Sequence, residues 1–217
     1  GGVEHLRKKV EEGYSLMVFP EGTRSENNLI KRFHKGAFFL AEEFQLDIIP
    51  IVIHGTSESI PKGDFIIYDS TITISILERI SPDNTSFGKN YVERTKQLST
   101  FFKTEYAKIR EKLEGPDYFK TMLINSYDYK EMEVIKSVKN SLKTNLQTYH
   151  NLNKYLPAKA KILHLNNDYG QLDLLLALQE PLRKIDSYNI DEEKVAVAKT
   201  NYIVKKRKIS YHKNLEI

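Results

Sequence analysis

The stretch FPEGTRS groups polar side chains directly after the apolar run LMV. Gly22 lets the backbone approach a ligand closely or adopt a positive φ. Arg24 offers five N–H donors in a fork that fits a phosphate or a carboxylate. Glu21 can accept hydrogen bonds from substrate hydroxyls or orient an arginine, whereas Thr23 and Ser25 can cap a helix or donate to an oxyanion. The pattern indicates a site for a small, hydroxylated, phosphorylated molecule, and the alternative is a strand-to-loop turn with a surface ion pair.

The segments on either side of this stretch predict the elements that must position it. Residues 4–12 are charged with sparse apolar spacing, which indicates a surface helix that ends at Gly13. SLMVF is a continuous apolar run and predicts a strand buried on both faces. HKGAFFLAEEF predicts a helix, because the apolar residues that share one of its faces are Ala37, Leu40, Ala41 and Phe44.

Two further strands are predicted after that helix. DIIPIVI reads as a second buried strand, in which Pro50 implies an edge, a bulge or a local break in pairing. TITISIL alternates with Ile72, Ile74 and Ile76 on one face, so it predicts a one-sided strand. FIIY and the turn that follows it predict a hairpin partner for that strand.

The remainder of the chain predicts helices and then an alternation of strands and helices. Residues 89–113 carry apolar side chains at spacings of three and four, which indicates a long amphipathic helix ended by Gly115-Pro116. Residues 117–156 predict further, mostly polar helix with a break near 126–130. The segments KILHL, GQLDLLLALQ, KIDSYNI, DEEKVAVAKTNYIVKK and ISYH then predict a β-α-β-α-β unit.

The first part of the chain resembles a known family. VFPEGTRS, followed by FHKGAFFLA and then IIPIVIHGT, looks like the second half of the glycerolipid acyltransferases of the lysophosphatidate (PlsC-like) type, over roughly residues 5–80. The resemblance implies transfer of a fatty acyl group from acyl-CoA or acyl carrier protein to a glycerol phosphate-type acceptor. It implies that Arg24 lies near the acceptor phosphate and that Pro50 supports donor binding or positions the site. The substrate-binding residues assigned in this way are Glu21, Gly22, Thr23, Arg24, Ser25, Lys35 and Pro50, and Phe33 and Gly36 match the same stretch as Lys35.

The catalytic pair of that family is absent from the chain. The resemblance implies a histidine that acts as general base and an aspartate five positions later that orients it. The residues found five positions after the six histidines are Val10, Phe39, Ser59, Tyr155, Tyr169 and Ile217. We therefore assign no catalytic residue, expect the pair upstream of Gly1 in a longer protein, and expect this fragment alone to be inactive. His54 is interpreted as a strand-end histidine bonded to backbone.

The β-α-β-α-β unit resembles the opening of a class I methyltransferase that uses S-adenosylmethionine. In that family, glycines in the first turn admit the cofactor, and an acid after the second strand binds its ribose. Here Asn166 and Asp168 replace two of the glycines, Asn189 replaces the acid, and His164 replaces an acid before the turn. Asp191 is predicted to cap the next helix. We expect a degenerate or truncated fold, and S-adenosylmethionine is an unlikely ligand.

Composition excludes several classes of protein. The 217 residues carry a net charge of +4 and no cysteine, so disulfides, thiolate nucleophiles and cysteine-based zinc sites are excluded. No apolar run approaches the ~18 residues of a bilayer-spanning helix. The run KKRK at 205–208 is interpreted as a solvated helix end, and no nucleic acid partner and no metal are predicted.

These observations predict an α/β protein: a partial glycerolipid-acyltransferase αβ domain and a partial Rossmann-like β-α-β-α-β unit. The predicted boundaries are 1–115 for the acyltransferase half, 116–156 for a helical linker and 157–217 for the methyltransferase-type half-domain. Because the acceptor partitions from a bilayer, we expect peripheral or tethered attachment at the cytoplasmic face of the membrane. No tightly bound cofactor is predicted. The alternatives are a non-catalytic module that binds lipid or CoA, and a methyltransferase that carries an acyltransferase remnant.

Overall fold

The computed structural model describes residues 2–60 and 70–213, and the chain forms two compact units, 1–111 and 112–217. Among the described residues, no helix is both long enough and apolar enough to cross a bilayer. The elements of the first unit are α1 (Gly2–Glu11), α2 (Gly36–Glu43), β1 (Ile51–His54), α3 (Thr56–Ser59), β2 (Thr73–Ile76) and α4 (Tyr91–Leu113), which reaches the boundary. Those of the second are α5 (Lys120–Asn125), α6 (Met132–Tyr155), β3 (Lys161–Leu165), α7 (Gln171–Gln179), β4 (Lys184–Tyr188), α8 (Glu192–Lys199) and β5 (Lys208–His212).

The predicted helices α1, α2 and α4 are confirmed, and α2 and α4 contribute to an aromatic core. Arg7 of α1 pairs with Glu43 of α2 at 2.5 Å and lies over the ring of Phe44 at 4.9 Å. This contact fixes α1 against the C-terminal end of α2. The buried residues of the core are Phe33, Phe38, Ile80 and Leu98.

Strands β1 and β2 pair antiparallel, with Ile51 opposite Ile76. An isolated bridge joins Ile48 to Ile80. Ile48 lies three residues before Ile51, whereas Ile80 lies four residues after Ile76. The pairing therefore contains a one-residue bulge beside Pro50. The break in pairing predicted from Pro50 is therefore confirmed. The predicted hairpin partner FIIY (65–68) lies outside the described residues.

The isoleucine alternation of TITISIL is present, but the isoleucines lie on the exposed face of the two-stranded ribbon. The exposed fractions of Ile72, Ile74 and Ile76 are 48%, 62% and 70%. Ile51 and Ile53 pair with Ile76 and Ile74 and so share this face. The buried side chains of the ribbon belong to the opposite face, and they are Val52 and His54.

The prediction of a buried strand for SLMVF is wrong. Residues 15–19 form no strand, and Met17, Val18 and Phe19 are 72%, 47% and 66% exposed. A strand requires a neighbour for its N–H and C=O groups, and no described residue pairs with this run. The apolar pattern alone carried no information about that neighbour.

The second unit contains a parallel sheet with the order β3-β4-β5 and a helix in each connection. The predicted element order is therefore observed, and the Rossmann-like assignment stays a prediction. α8 ends at Lys199, several residues earlier than the pattern suggested. Asp191 caps it as predicted, because its carboxylate accepts from the backbone N–H groups of Glu193 and Lys194.

Residues 116–156 pack as part of the second unit, which differs from the separate linker that the sequence suggested. Leu123 of α5 and Leu142 of α6 are fully buried, in one cluster with Leu174 of α7 and Ile185 of β4. The apolar side chains of α6 lie on one stripe, Val134, Val138, Leu142 and Leu146. This stripe covers the helical layer of the β-α-β-α-β unit.

Candidate functional site

Among the described residues, three backbone N–H groups donate hydrogen bonds that hold the first half of the FPEGTRS loop. The N–H of Gly22 donates to the carbonyl of Phe19 at 3.1 Å, and the N–H of His34 donates to the carbonyl of Pro20 at 2.7 Å. The N–H of Lys31 donates to Oε2 of Glu21 at 2.7 Å. The side chain of Glu21 therefore helps to fix the loop.

Gly22 and His34 meet at close range. Gly22 has a φ of +68°, a region that residues with a side chain adopt at a cost. A Cβ at this position would lie 3.1 Å from Cδ2 and Nε2 of the His34 ring. His34 thus contacts the motif from the following segment, as Lys31 does.

Arg24 is the available cation of the loop. Its side chain is exposed and makes no hydrogen bond or ion pair with any described residue, and the neighbouring Thr23 is also exposed. Ser25 is occupied locally, because its Oγ donates to Oδ1 of Asn27 at 3.1 Å. Arg24 and Thr23 are therefore the motif side chains that are free to reach a phosphorylated ligand.

The other predicted substrate-binding residues are placed differently. Phe33 is buried against Phe38 and Phe102, at ring-centroid distances of 6.0 and 5.2 Å, and anchors the segment that leads to α2. Lys35, two residues later, is exposed at the start of α2. Pro50 is buried at the bulge, and among the described residues no hydrogen bond or ring contact joins it to the loop.

The first unit also contains two buried polar features. His54 is 2% exposed, and its ring lies 5.8 Å from that of Tyr106. Asn28 has a φ of +58° and donates from Nδ2 to the buried carboxylate of Glu58. The sequence reasoning missed this pair, although the Asn-Asn dipeptide is a signal of left-handed backbone.

A polar network lies at the carboxyl ends of β3 and β4. At its centre is Asp173, which is fully buried. The Nδ1 atom of His164 lies 2.7 Å from Oδ1 of Asp173, and Ser187 donates to Oδ2 at 2.7 Å. The hydrogen bond to Asp173 raises the pKa of His164, although partial burial acts in the opposite direction.

The residues that replace the expected glycines and acid are bonded to one another. Asn189 donates from Nδ2 to Oδ1 of Asn166 at 2.5 Å and to the carbonyl of Asp168 at 3.1 Å. Asp168 accepts from the N–H of Gly170 at 2.7 Å, while burial raises the pKa of its carboxyl. The polar groups at this turn are thus used within the protein, and their side chains fill space that glycines would leave to a ligand.

A packing contact explains why residue 170, in this turn, is a glycine. Its φ is +85°, and a Cβ there would lie 2.5 Å from the hydroxyl oxygen of the buried Tyr211. Tyr211 in turn donates to the carbonyl of Gly170 at 3.3 Å. The start of α7 and strand β5 therefore meet at a point where only glycine fits.

No metal centre is visible in the described parts of the chain. Residues 2–60 and 70–213 contain no group of three or more histidine, aspartate or glutamate side chains that could hold a metal ion.

Comparison with known proteins relates the N-terminal part of the chain to acyltransferases. Residues 1–54 match the Acyltransferase family model. A 1-acyl-sn-glycerol-3-phosphate acyltransferase of Limnanthes douglasii is 36% identical over 86 residues, which is 40% of this chain and 31% of that protein. The human 1-acyl-sn-glycerol-3-phosphate acyltransferase beta is 34% identical over 73 residues, 34% of this chain and 26% of that protein.

One solved structure is also similar, that of the 1-acyl-sn-glycerophosphate (LPA) acyltransferase PlsC from Thermotoga maritima. It is 26% identical, with a TM-score of 0.46, over 50% of this chain and 44% of that chain. The chain thus spans about a third or less of the length of the two curated relatives. The sequence matches support a relationship with glycerolipid acyltransferases.

Proposed function

We propose that this chain supplies the acceptor-binding loop of a glycerolipid acyltransferase. In this reaction the acceptor hydroxyl oxygen forms an ester bond with the acyl carbonyl carbon of acyl-CoA or an acyl carrier protein. The thioester C–S bond breaks, and the hydroxyl proton ends on the released thiol. The acceptor is a lysophosphatidate-type molecule, which matches the names of the relatives.

The observation that supports this proposal is the exposed Arg24 on a rigid loop. Its guanidinium has no partner among the described residues, whereas the loop beneath it is fixed through Glu21, Gly22 and Pro20. A guanidinium without a protein partner, on a loop whose backbone is hydrogen-bonded, can form charge-assisted hydrogen bonds to a phosphate. In this proposal Arg24 binds the acceptor phosphate, Thr23 and Lys35 add donors, and Glu21 positions the loop.

Catalysis by the family mechanism needs a general base that the 217 residues do not contain in the expected form. No histidine in the chain is followed by an aspartate five positions later. His54 is buried against Tyr106, which does not suit a group that must reach an acceptor hydroxyl. We therefore propose that the base belongs to a longer protein and that the chain alone binds the acceptor without turnover.

The proposal also includes a location. A lysophosphatidate-type acceptor resides in a membrane, so peripheral or tethered attachment at the cytoplasmic face is expected. The second unit takes no part in methyl transfer in this proposal, because Asn166, Asp168 and Asn189 are bonded to one another.

The test is acceptor binding by the 217-residue chain, measured by titration calorimetry with a short-chain lysophosphatidate below its micelle concentration. Arg24→Gln should weaken binding about tenfold or more, because a hydrogen bond to a charged group contributes about 1.5–3 kcal/mol. Arg79→Gln is the matched control. It removes the same charge from the same unit, at an exposed arginine that already pairs with Asp47 at 2.8 Å.

Equal affinities of the Arg24→Gln and Arg79→Gln variants would show that the loop does not hold the phosphate. In the same samples, thiol release from acyl-CoA should stay at the background rate. Turnover by the chain that disappears on Glu21→Ala would contradict the assignment of the base to another segment.

A further inference from the structure

A row of three lysines crosses the parallel sheet of the second unit. Lys161 of β3 is the register partner of Lys184 of β4, which is the partner of Lys208 of β5. Register partners on adjacent strands project from the same face, and the strands are about 4.8 Å apart. The three side chains, here called the lysine row, therefore lie side by side over about 10 Å.

The lysine row lies on the face of the sheet that the helices leave uncovered. The residues that follow Lys184 and Lys208 in their strands, Ile185 and Ile209, are buried in the core shared with α7. Side chains alternate along a strand, and all three lysines are exposed. The row is thus open to a ligand from solution.

The three positive charges are not compensated within the described part of the chain. None of the three ammonium groups forms an ion pair or hydrogen bond with a described residue. The acid on the same face, Asp186, lies 3.4 Å from Nε2 of His212. Like charges on directly opposed residues of neighbouring strands destabilise a sheet. An arrangement that costs folding stability and has no internal partner suits an external anion.

A shallow, open depression in the protein surface adjoins the lysine row. Its volume is about 460 Å³, and its lining includes Lys184, Asp186, Lys208 and Ser210. Arg207 also lines it, but its side chain turns to the helical face, where Nε donates to the carbonyl of Ala177 in α7 at 3.1 Å. The basic run KKRK, interpreted from sequence as a solvated helix end, thus contributes two residues to this surface and leads into β5.

We propose that the lysine row forms a binding site for a small soluble anion that carries two or more phosphate groups. The row is wider than one phosphate, so neighbouring phosphates can each face a different lysine. The row spans three residues and is bordered by the carboxylate of Asp186, so its extent matches a small ligand better than an extended anionic bilayer. This site is independent of the FPEGTRS loop and of the function proposed for it.

The test is calorimetric titration of the 217-residue chain with inorganic tripolyphosphate at moderate salt. Tripolyphosphate should bind about tenfold or more tightly than orthophosphate, because it can contact several ammonium groups at once. A triple variant, Lys161→Gln with Lys184→Gln and Lys208→Gln, should lose at least about tenfold in affinity. The single change Lys184→Gln should give a smaller loss in the same direction.

The matched control removes three exposed lysines from α6 of the same unit, with Lys136→Gln, Lys139→Gln and Lys143→Gln. Its affinity should stay within about twofold of the parent chain, because only long-range attraction is reduced. Without ligand, the triple variant of the lysine row should also melt at the same or a higher temperature than the parent chain, since it removes like-charge repulsion. This second readout separates loss of a site from loss of folding.

Three results would overturn the proposal. The first is an equal loss of affinity in the row and control variants, which would mean that net charge alone attracts the anion. The second is equal binding of orthophosphate and tripolyphosphate, or no binding of either at millimolar concentration. The third is binding to phosphatidylglycerol vesicles, lost in the row variant, without binding to tripolyphosphate, which would assign the face to a membrane surface.

Discussion

Gly22 and Gly170 both adopt a positive φ, but the surroundings of the two residues differ. At Gly22 the neighbour is the ring of His34, a side chain that can move by a few tenths of an ångström. At Gly170 the neighbour is the buried ring of Tyr211. A substitution at Gly170 therefore combines backbone strain with a steric clash.

We expect Gly170→Ala to lower the free energy of unfolding by about 1–3 kcal/mol or more, from strain and forced movement of Tyr211. Gly115→Ala is the control in the same unit, because a Cβ there meets no atom within 4 Å and its φ is not positive. Urea unfolding followed by circular dichroism measures both variants. Equal stability of the two would show that Tyr211 yields without cost.

The pairing of His164 with buried Asp173 predicts a pH dependence of stability. The pKa of His164 is raised in the folded chain, mainly by the hydrogen bond to Asp173. The folded state thus binds the proton more tightly than the unfolded state. The stabilisation is fully present below the unfolded pKa of about 6.5 and is lost as the pH rises through the folded pKa.

His164→Gln should therefore destabilise the chain by roughly 1 kcal/mol or more near pH 5.5, and by less at higher pH. Unfolding curves at several pH values measure the difference. His212→Gln is the control, because the contact of His212 with Asp186 lies at the surface. A difference for His164→Gln that is constant or grows with pH would contradict the charged pair.

At the scale of single residues, the sequence was informative about roles that depend only on the type of side chain. Arg24 was predicted to bind a phosphate because of its guanidinium group, and its side chain is exposed. The contact of His34 with Gly22 and the pair of Asn28 with Glu58 depend on how distant segments fold together. No local pattern encodes those distances, so they could not be predicted.

Among the elements, α6 shows how a mostly polar helix can belong to a core. Its buried side chains occur at intervals of four residues, so one narrow stripe carries the packing. Its C-terminal end is bonded through Arg183, whose Nη2 donates to the carbonyls of Asn153 and Leu156. The polar majority of the helix led to its interpretation as a linker.

Leu142→Ala in α6 should lower the free energy of unfolding by about 2–5 kcal/mol, because it leaves a cavity beside α7. Lys143→Ala, one position further along the helix and exposed, should change it by less than about 0.5 kcal/mol. Thermal unfolding of the two variants measures the contrast. A negligible effect of Leu142→Ala would support the linker interpretation.

SLMVF and TITISIL show the limit of apolar patterns at the element scale. Each pattern states which residues prefer burial or alternate, and the alternation of TITISIL was correct. Neither pattern states which segment covers the apolar face. The exposed isoleucines of β1 and β2 and the unpaired run before the loop are both consequences of that missing information.

At the scale of the whole molecule, the described residues form two hydrophobic clusters, each built within its own unit. The helical and strand content, the β-α-β-α-β order and the break at Pro50 could be predicted, because they depend on periodicity and on proline geometry. The predicted boundary at residue 115 lies close to the division after Glu111, although α4 continues through that division without a glycine or a proline.

Gly170 also limits what the turn before α7 can reveal about ligand binding. A glycine in this turn matches the pattern expected of a cofactor site. The ring of Tyr211, however, would oppose a side chain at this position whether or not any ligand binds. Folding alone therefore requires the glycine, so its presence is not evidence for a cofactor.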